Sequence, residues 1–380
     1  MDAGTLKAAL VNQIDARSQE LKELALRIHS SPETGFHELN AANWLSAYLK
    51  DNGFSIDSGI CELPTAFKAS YGQGSPVIAV LAEYDALPGL GHACGHNLIA
   101  GCAVGAAVAA RAAIDQFGGR ILVIGTPAEE TYGAKNMLAE RGTFSDVDAA
   151  VMVHFETRDI AAPLALAIQN LEVEFYGKPA HAAAHPEQGI NALEAMIQSF
   201  TAINSLRQSI RSTARIHGII THGGDAVNTV PAYSAAIFMV RAVEDDYLGE
   251  LRDRVLNCFV GAATASGARL EYKWGMRCPS LRSNRTLARL FRRNMLSLGR
   301  SMRLTDPGEA FGSTDFAVVS QLVPAIHPLV AIAPVEVTLH SSQFCLAAGS
   351  EAGIQGMLDA AKALGMTIAD LTADPKGVSE

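Results

Sequence analysis

The chain has 380 residues, 49% hydrophobic and 18% charged, and 39 Asp and Glu against 30 Lys and Arg give it a formal net charge of −9. That length accommodates two domains with large cores, and the acidic balance excludes the basic face that a nucleic-acid-binding protein needs. Six cysteines, at 61, 94, 102, 258, 278 and 345, show no close paired framework. They read as buried thiols in a reducing compartment, with the cytoplasm as the expected location.

The first 50 residues read as two helices. Leu6, Leu10, Ile14, Leu21, Leu24 and Ile28 mark the apolar stripe, and Ser30-Ser-Pro-Glu-Thr-Gly35 makes a turn before the pattern resumes near Glu38. No basic segment precedes an apolar block, so no secretory signal is expected. A buried strand over 77–81 leads to an Ala-rich apolar stretch, 98–110, too short to span a bilayer and better read as a buried helix. A strand over 120–125, a helix around 134–140 and a strand over 149–154 follow. This alternation predicts an α/β fold, a mostly parallel sheet with helices on both faces.

Near residue 166 the pattern changes. Residues 166–176 alternate like a half-exposed antiparallel strand, and a helix is expected over 189–211. Strands near 214–221 and 234–242, a helix from 247 to about 266 and a strand over 269–274 complete the series. Strand, helix, strand, strand, helix, strand is the order of a ferredoxin-like α+β unit. Helices over 286–298 and from 350 to about 364, a short strand over 329–333 and a polar tail close the chain. The expected organisation is a discontinuous catalytic domain of residues 1–165 and 279–380, with an inserted domain of residues 166–278.

The stretch His92-Ala-Cys94-Gly-His96-Asn97 carries the clearest chemistry. A thiolate ligand and an imidazole ligand stand two residues apart, after a strand that ends in Glu83-Tyr-Asp85-Ala-Leu-Pro88. Glu129-Glu130, His154 and His340 each lie just beyond an apolar run. Several strands ending in metal-type ligands is how an open α/β sheet builds a site at its carboxyl edge. Cys94, His96, Glu130, His154 and His340 offer sulfur, nitrogen and oxygen donors that suit zinc first, with manganese, cobalt and nickel as alternatives. Five protein ligands exceed what one catalytic ion takes while keeping an open position. Two divalent ions about 3.5–4 Å apart are therefore expected, with Cys94 as the bridge. Of the adjacent carboxylates Glu129 and Glu130, one can ligate metal while the other faces the substrate water as general base. Asp85 is read as the acceptor for the free ring N–H of a ligand histidine, against an ordinary turn aspartate.

Three rival readings use the same residues. Gly89-x-Gly91-x-x-x-Gly95 is a poor dinucleotide loop, since its spacing departs from the fingerprint and it does not directly follow a strand. Cys94 beside a histidine is also the pattern of a thiol hydrolase. A non-catalytic metal-dependent binding protein would have no use for Glu129.

The motifs His92-Ala-Cys-Gly-His96-Asn, Thr126-Pro-Ala-Glu-Glu130, Gly177-Lys-Pro-Ala-His181, Gly223-Gly-Asp-Ala-Val-Asn228-Thr-Val-Pro231, Gly312-Ser-Thr-Asp315 and Leu339-His340-Ser resemble signatures of peptidase family M-twenty, subfamily D. The resemblance runs from Ser31-Pro-Glu-Thr-Gly-Phe-His-Glu38 to His340. It implies a two-metal amidohydrolase acting on small N-acyl amino acids or dipeptides, with the five ligands above and Glu129 as base. It also implies a homodimer formed through the inserted lid domain, with His181 of the partner subunit stabilising the oxyanion and Asn228 holding substrate. From the sequence alone His181 is a loop histidine of unknown role. Arg241 is read as a holder of the substrate carboxylate, or else as one side of an interdomain salt bridge. Asn97, Gly91 and Ile326-His327-Pro resemble the dipeptidase and aminobenzoyl-glutamate hydrolase branch. A metal-dependent deaminase of the same fold is the remaining alternative, and neither a nucleic acid nor a membrane is an expected partner.

Overall fold

The computed structural model describes residues 3–131, 133–306 and 310–374. It divides into two compact units, one of Met1–Leu164, Leu281–Glu309 and Thr314–Glu380, the other of Ala165–Ser280 with Ala310–Ser313.

The first unit opens with three helices, α1 (Ala3–Ala16), α2 (Ser18–Ser30) and α3 (Leu39–Asp51), where the sequence pattern predicts two. The break falls at Arg17, with φ −102° and ψ 6°. Ile14 and Leu21 stand two turns apart, so the apolar stripe keeps its phase across the break and periodicity does not reveal it. Strands β1 (Ser55–Ser58), β2 (Phe67–Gln73) and β3 (Val77–Ala82) follow, then α4 (His96–Phe117) and β4 (Gly119–Gly125). Next come α5 (Ala134–Glu140), β5 (Ala149–Val151), β6 (His154–Glu156) and β7 (Leu164–Ala165).

Through the second unit the chain forms β8 (Ala167–Tyr176), α6 (Ala192–Leu206), β9 (Arg215–His222), β10 (Tyr233–Ala242), α7 (Asp245–Ser266) and β11 (Arg269–Cys278). It continues with α8 (Arg285–Ser297), β12 (Ala310–Phe311), α9 (Phe316–Leu322), β13 (Ala325–Ile326), β14 (Leu329–Ala331), α10 (Ser342–Ala348) and α11 (Glu351–Ala373). The last helix outruns its expected end because Met366, Ile368, Ala369 and Leu371 keep it buried. The tail from 375 on lies outside the described residues.

The sheet of the first unit runs β1-β2-β4-β3-β5-β13. β4, β3, β5 and β13 are mutually parallel, whereas β1 and β2 are antiparallel at one edge, so the sheet is mixed and mainly parallel. Every residue of β3 is buried, as an interior parallel strand requires. The Ala-rich helix α4 runs longer than the apolar stretch that predicted it. By length and composition it is the one helix among the described residues able to cross a membrane, but 89% of its apolar window is buried in the unit. Its glycines allow close approach: a Cβ on Gly101 would lie 2.4 Å from Met357 Sδ of α11.

In the second unit the four strands are antiparallel in the order β11-β8-β10-β9. With α6 and α7 this gives the strand–helix–strand–strand–helix–strand series, around a core that includes Phe175, Phe238, Phe259, Leu251 and Met196. Helix α6 begins at Ala192 rather than 189 because the Asn191 side chain accepts the Glu194 N–H at 3.1 Å and caps it there.

Candidate metal centre

The site is assembled in the first unit from loops that leave strand ends. The turn between β3 and α4 closes on Gly95, whose φ of 79° lets α4 start at His96. A Cβ at Gly95 would lie 3.2 Å from Phe155 Cβ, so the turn sits tight against β6. That proximity brings Cys94 Sγ to 3.4 Å from His154 Nε2. The loop before α10 docks on the same turn: the His340 N–H, in a residue at φ 57°, donates to Ala93 O at 3.0 Å.

Ligand atoms of Cys94, His96 and His154 lie within 4.8 Å of one another, and so do those of Cys94, Glu130 and His340. The two groups share Cys94. Glu130 Oε1 is 3.4 Å from His340 Nε2 and 3.9 Å from His96 Nε2. Glu129 belongs to neither group, although its carboxyl lies within 4.8 Å of ligand atoms of both His96 and Glu130. Asp85 is buried and ties two of these residues together. Its Oδ1 lies 3.0 Å from His96 Nδ1, and its Oδ2 accepts the Glu130 N–H at 3.0 Å. Nδ1 is thereby engaged, and Nε2 is the nitrogen His96 turns to the cluster.

These side chains fit divalent metal. Thiol, imidazole and carboxylate are the donors of a borderline cation. His96 Nε2 and Glu130 Oε1 are both buried without a hydrogen-bond partner, an arrangement a bound cation relieves. The electrostatics point the same way. Burial and then Glu130 push the Cys94 thiol well above its usual range, while burial and then His327 push His154 well below. Burial disfavours a charged His96, but Asp85 outweighs it and raises that imidazole. Burial, Glu83, Asp315 and Glu130 push Glu129 well above the carboxylate range. A divalent cation among them would favour the thiolate, the neutral imidazole and the carboxylate together.

Beneath Glu129 lies a feature with no clear sequence signal. Lys135, at the start of α5, is wholly buried, and its Nζ lies 2.6 Å from both Glu83 Oε1 and Asp315 Oδ1. Asp315 Oδ2 also accepts the Lys135 backbone N–H at 3.1 Å. Glu83, Glu129 and Asp315 bring carboxylate oxygens within 4.8 Å of one another, and the lysine ammonium bonds to two of the three. Burial works to raise Glu83, but Lys135 and the surrounding imidazoles outweigh it and hold that carboxyl down to about 2. A lysine in a short amphipathic helix reads from sequence as a surface residue, so only the fold reveals this one. Glu83, Asp315 and His327 stand within recognisable motifs, yet nothing in their spacing marks a role.

His181, Asn228 and Arg241 lie in the second unit. His181 Nδ1 accepts the backbone N–H groups of Ala183 and Ala184 at 3.3 and 3.1 Å. Those bonds place the ring proton on Nε2. Its neighbour Ala182 donates its N–H to Asn228 O at 3.0 Å, so the two motifs pair. Arg241 is half-buried in β10. Its Nη1 reaches Ser313 Oγ at 3.5 Å, and burial lowers its pKa. Among the described residues it forms no ion pair.

The profile of Peptidase family M20/M25/M40 matches residues 79–344. The chain is 36% identical over 387 residues to the Xaa-Arg dipeptidase of Mus musculus, covering 97% of this chain and 90% of that one. It is 36% identical over 303 residues to one of the subunits of the p-aminobenzoyl-glutamate hydrolase of Escherichia coli K12, covering 72% of this chain and 61% of that one. Its fold superposes on a putative aminohydrolase from methicillin-resistant Staphylococcus aureus with TM-score 0.82 at 20% identity, over 96% of this chain and 99% of that one. A profile spanning well over half of the chain, and a full-length likeness to a dipeptidase, place this protein in the peptidase family M20/M25/M40.

Proposed function

We propose that the protein hydrolyses the amide bond of dipeptides and small N-acyl amino acids, using two divalent ions and a glutamate base. The observation that carries this reading is the pair of donor groups sharing Cys94, with Glu129 beside both and belonging to neither. Cys94, His96 and His154 would hold one ion, and Cys94, Glu130 and His340 would hold the other. Zinc is the first metal to test. Ions held there would acidify a water and polarise the scissile carbonyl. Glu129 accepts the proton of the attacking water and passes it to the departing amine. Asp85 orients His96. His181 of the partner subunit donates to the oxyanion, Asn228 holds the substrate, and Arg241 binds its free carboxylate.

The similarity to Xaa-Arg dipeptidase makes dipeptides ending in arginine the first substrates to try, and the Escherichia coli relative makes aminobenzoyl-glutamate the second. The second unit acts as lid and as the surface of a homodimer. Support comes from β9, an edge strand on which Ile219 and Ile220 are exposed. The cytoplasm is the proposed location, in keeping with six free cysteines.

The test is metal content by elemental analysis, paired with hydrolysis of a panel of dipeptides, N-acetyl amino acids and aminobenzoyl-glutamate by wild type and Glu129→Ala. About two ions per chain in both proteins, with turnover lost in the variant, is the expected result. Metal-free protein that still turns over would overturn the reading and return Cys94 to the role of nucleophile.

A further inference from the structure

The segment between α2 and α3 is more than a connection. The Glu33 carbonyl accepts the Ala86 N–H at 2.8 Å, immediately after Asp85. The Glu33 side chain accepts the N–H groups of Asn40 and Ala41 at 3.1 and 3.0 Å and so caps α3. Gly35 lies against the loop that carries the two adjacent glutamates: a Cβ there would come 2.3 Å from Thr131 Oγ1 and 2.9 Å from Ala128 Cβ. Glu38, wholly buried, accepts the Ala128 N–H on Oε1 at 2.8 Å.

Ala128 is the turning point of that loop. It takes φ 56°, a left-handed conformation that a residue with a Cβ adopts only when its surroundings hold it there. Two hydrogen bonds do so: the one to Glu38, and the Gly133 N–H donated to Ala128 O at 2.9 Å. Two residues on, the Glu130 N–H is taken by Asp85. Glu129 therefore stands between two backbone N–H groups, each clamped by a buried carboxyl from a different part of the chain.

We propose that Glu38 is a positioning residue for the reaction: reaching in from the segment before α3, it holds the Ala128 turn and so sets the directions in which Glu129 and Glu130 diverge. This rests on the roles given to those two glutamates above. The second oxygen of Glu38, Oε2, is buried without a hydrogen-bond partner, so the carboxyl gives up hydration on that side. Burial, ahead of the nearby Asp85, pushes its pKa up to about 7. Tyr84 and Thr65 also face it, and no cation is among the groups that shift it. A carboxyl with no cation partner, bonded to the left-handed Ala128, serves the loop.

The experiment compares wild type with Glu38→Gln, Glu38→Ala and Gly35→Ala in kcat, KM and metal per chain. It also follows hydrogen–deuterium exchange of the amides from Ala128 to Gly133. Glu38→Gln keeps an acceptor oxygen and is expected to stay within about threefold of wild type. Glu38→Ala is expected to lose about 10- to 100-fold in kcat with KM nearly unchanged, and to exchange the Ala128 amide faster. Gly35→Ala leaves Glu38 intact and displaces the same turn, so it shows the same kcat-selective loss if Glu38→Ala does not fold. Folded Glu38→Ala with wild-type kcat and wild-type exchange overturns the proposal, as does an equal kcat loss in Glu38→Gln. If wild type cleaves none of the panel, the hydrolase reading falls, while the exchange data still decide whether Glu38 holds the turn.

Discussion

Replacing Lys135 by Met tests the electrostatic floor under Glu129. Methionine keeps the length and most of the bulk of the side chain but removes an ammonium bonded at 2.6 Å to both Glu83 and Asp315. Two carboxyls then face each other in a buried position without the ammonium that joined them. Removing one partner of a buried charge network costs about 3–5 kcal/mol, a fall in Tm of roughly 4–9 °C for a chain of this size. The sign of the pH dependence follows from which state binds protons. In wild type Glu83 is held down to about 2, below its value in an unfolded chain, so its contribution is present above about pH 4.5 and fades as pH falls towards 2. In the variant burial and mutual repulsion raise both carboxyls, so the folded state takes up protons that the unfolded state releases. The deficit against wild type is therefore largest near pH 8 and shrinks towards pH 5. Thermal melts of chelator-treated protein across that range measure it. A deficit that stays constant with pH, or none at all, would refute the reasoning. Added divalent cation should also restore part of the lost Tm in the variant, since Glu83, Glu129 and Asp315 then form an acidic cluster without its ammonium.

Three further outcomes can be checked directly. Asp85→Asn weakens the acceptor that orients His96 and should lower metal affinity by about 10- to 100-fold, read by competition with a chelating dye; unchanged affinity would remove Asp85 from the site. Glu38→Gln, expected to leave turnover nearly unchanged, does bear on stability. Because the folded state raises that carboxyl from 4.5 to about 7, wild-type stability falls by about 3 kcal/mol as pH rises through that window, and the glutamine variant should escape the fall. Melting curves that run parallel in pH for the two proteins would contradict this. Finally, Gly125→Ala places a Cβ 2.2 Å from the Phe67 ring, whereas Gly101→Ala meets the flexible end of Met357 at 2.4 Å. Each should destabilise by about 1–3 kcal/mol in urea unfolding, with Gly125→Ala at the upper end.

The elements that a sequence reveals here are those in which one physical demand dominates. Strand β3 and helix α4 are buried along nearly their whole length, and long apolar runs announce both. The βαββαβ series is legible because its central strands, β8 and β10, alternate strictly along their ten residues. The break at Arg17 is hidden because the apolar phase survives it. The antiparallel edge of the main sheet is hidden because Phe67–Gln73 reads like any half-buried strand, and its direction is set by what it pairs with. The same division runs through the site. Cys94, His96, Glu129, Glu130, His154 and His340 are visible because their donor chemistry is rare just beyond apolar runs. Lys135 and Glu38 are invisible because a lysine and a glutamate are ordinary surface residues until the fold buries them.

The second unit enters and leaves through neighbouring strands: Ile168 near the start of β8 pairs with Cys278 at the end of β11. Directly opposed residues of antiparallel strands lie about 4.5–5.5 Å apart at their Cα atoms, so both ends of this inserted module emerge at one point. A module with that geometry can be gained, lost or exchanged in a single recombination event, because the path of the host chain closes over the gap with a short turn. The residues around Cys94 belong to the host, while His181, Asn228 and Arg241 are carried together on the insert.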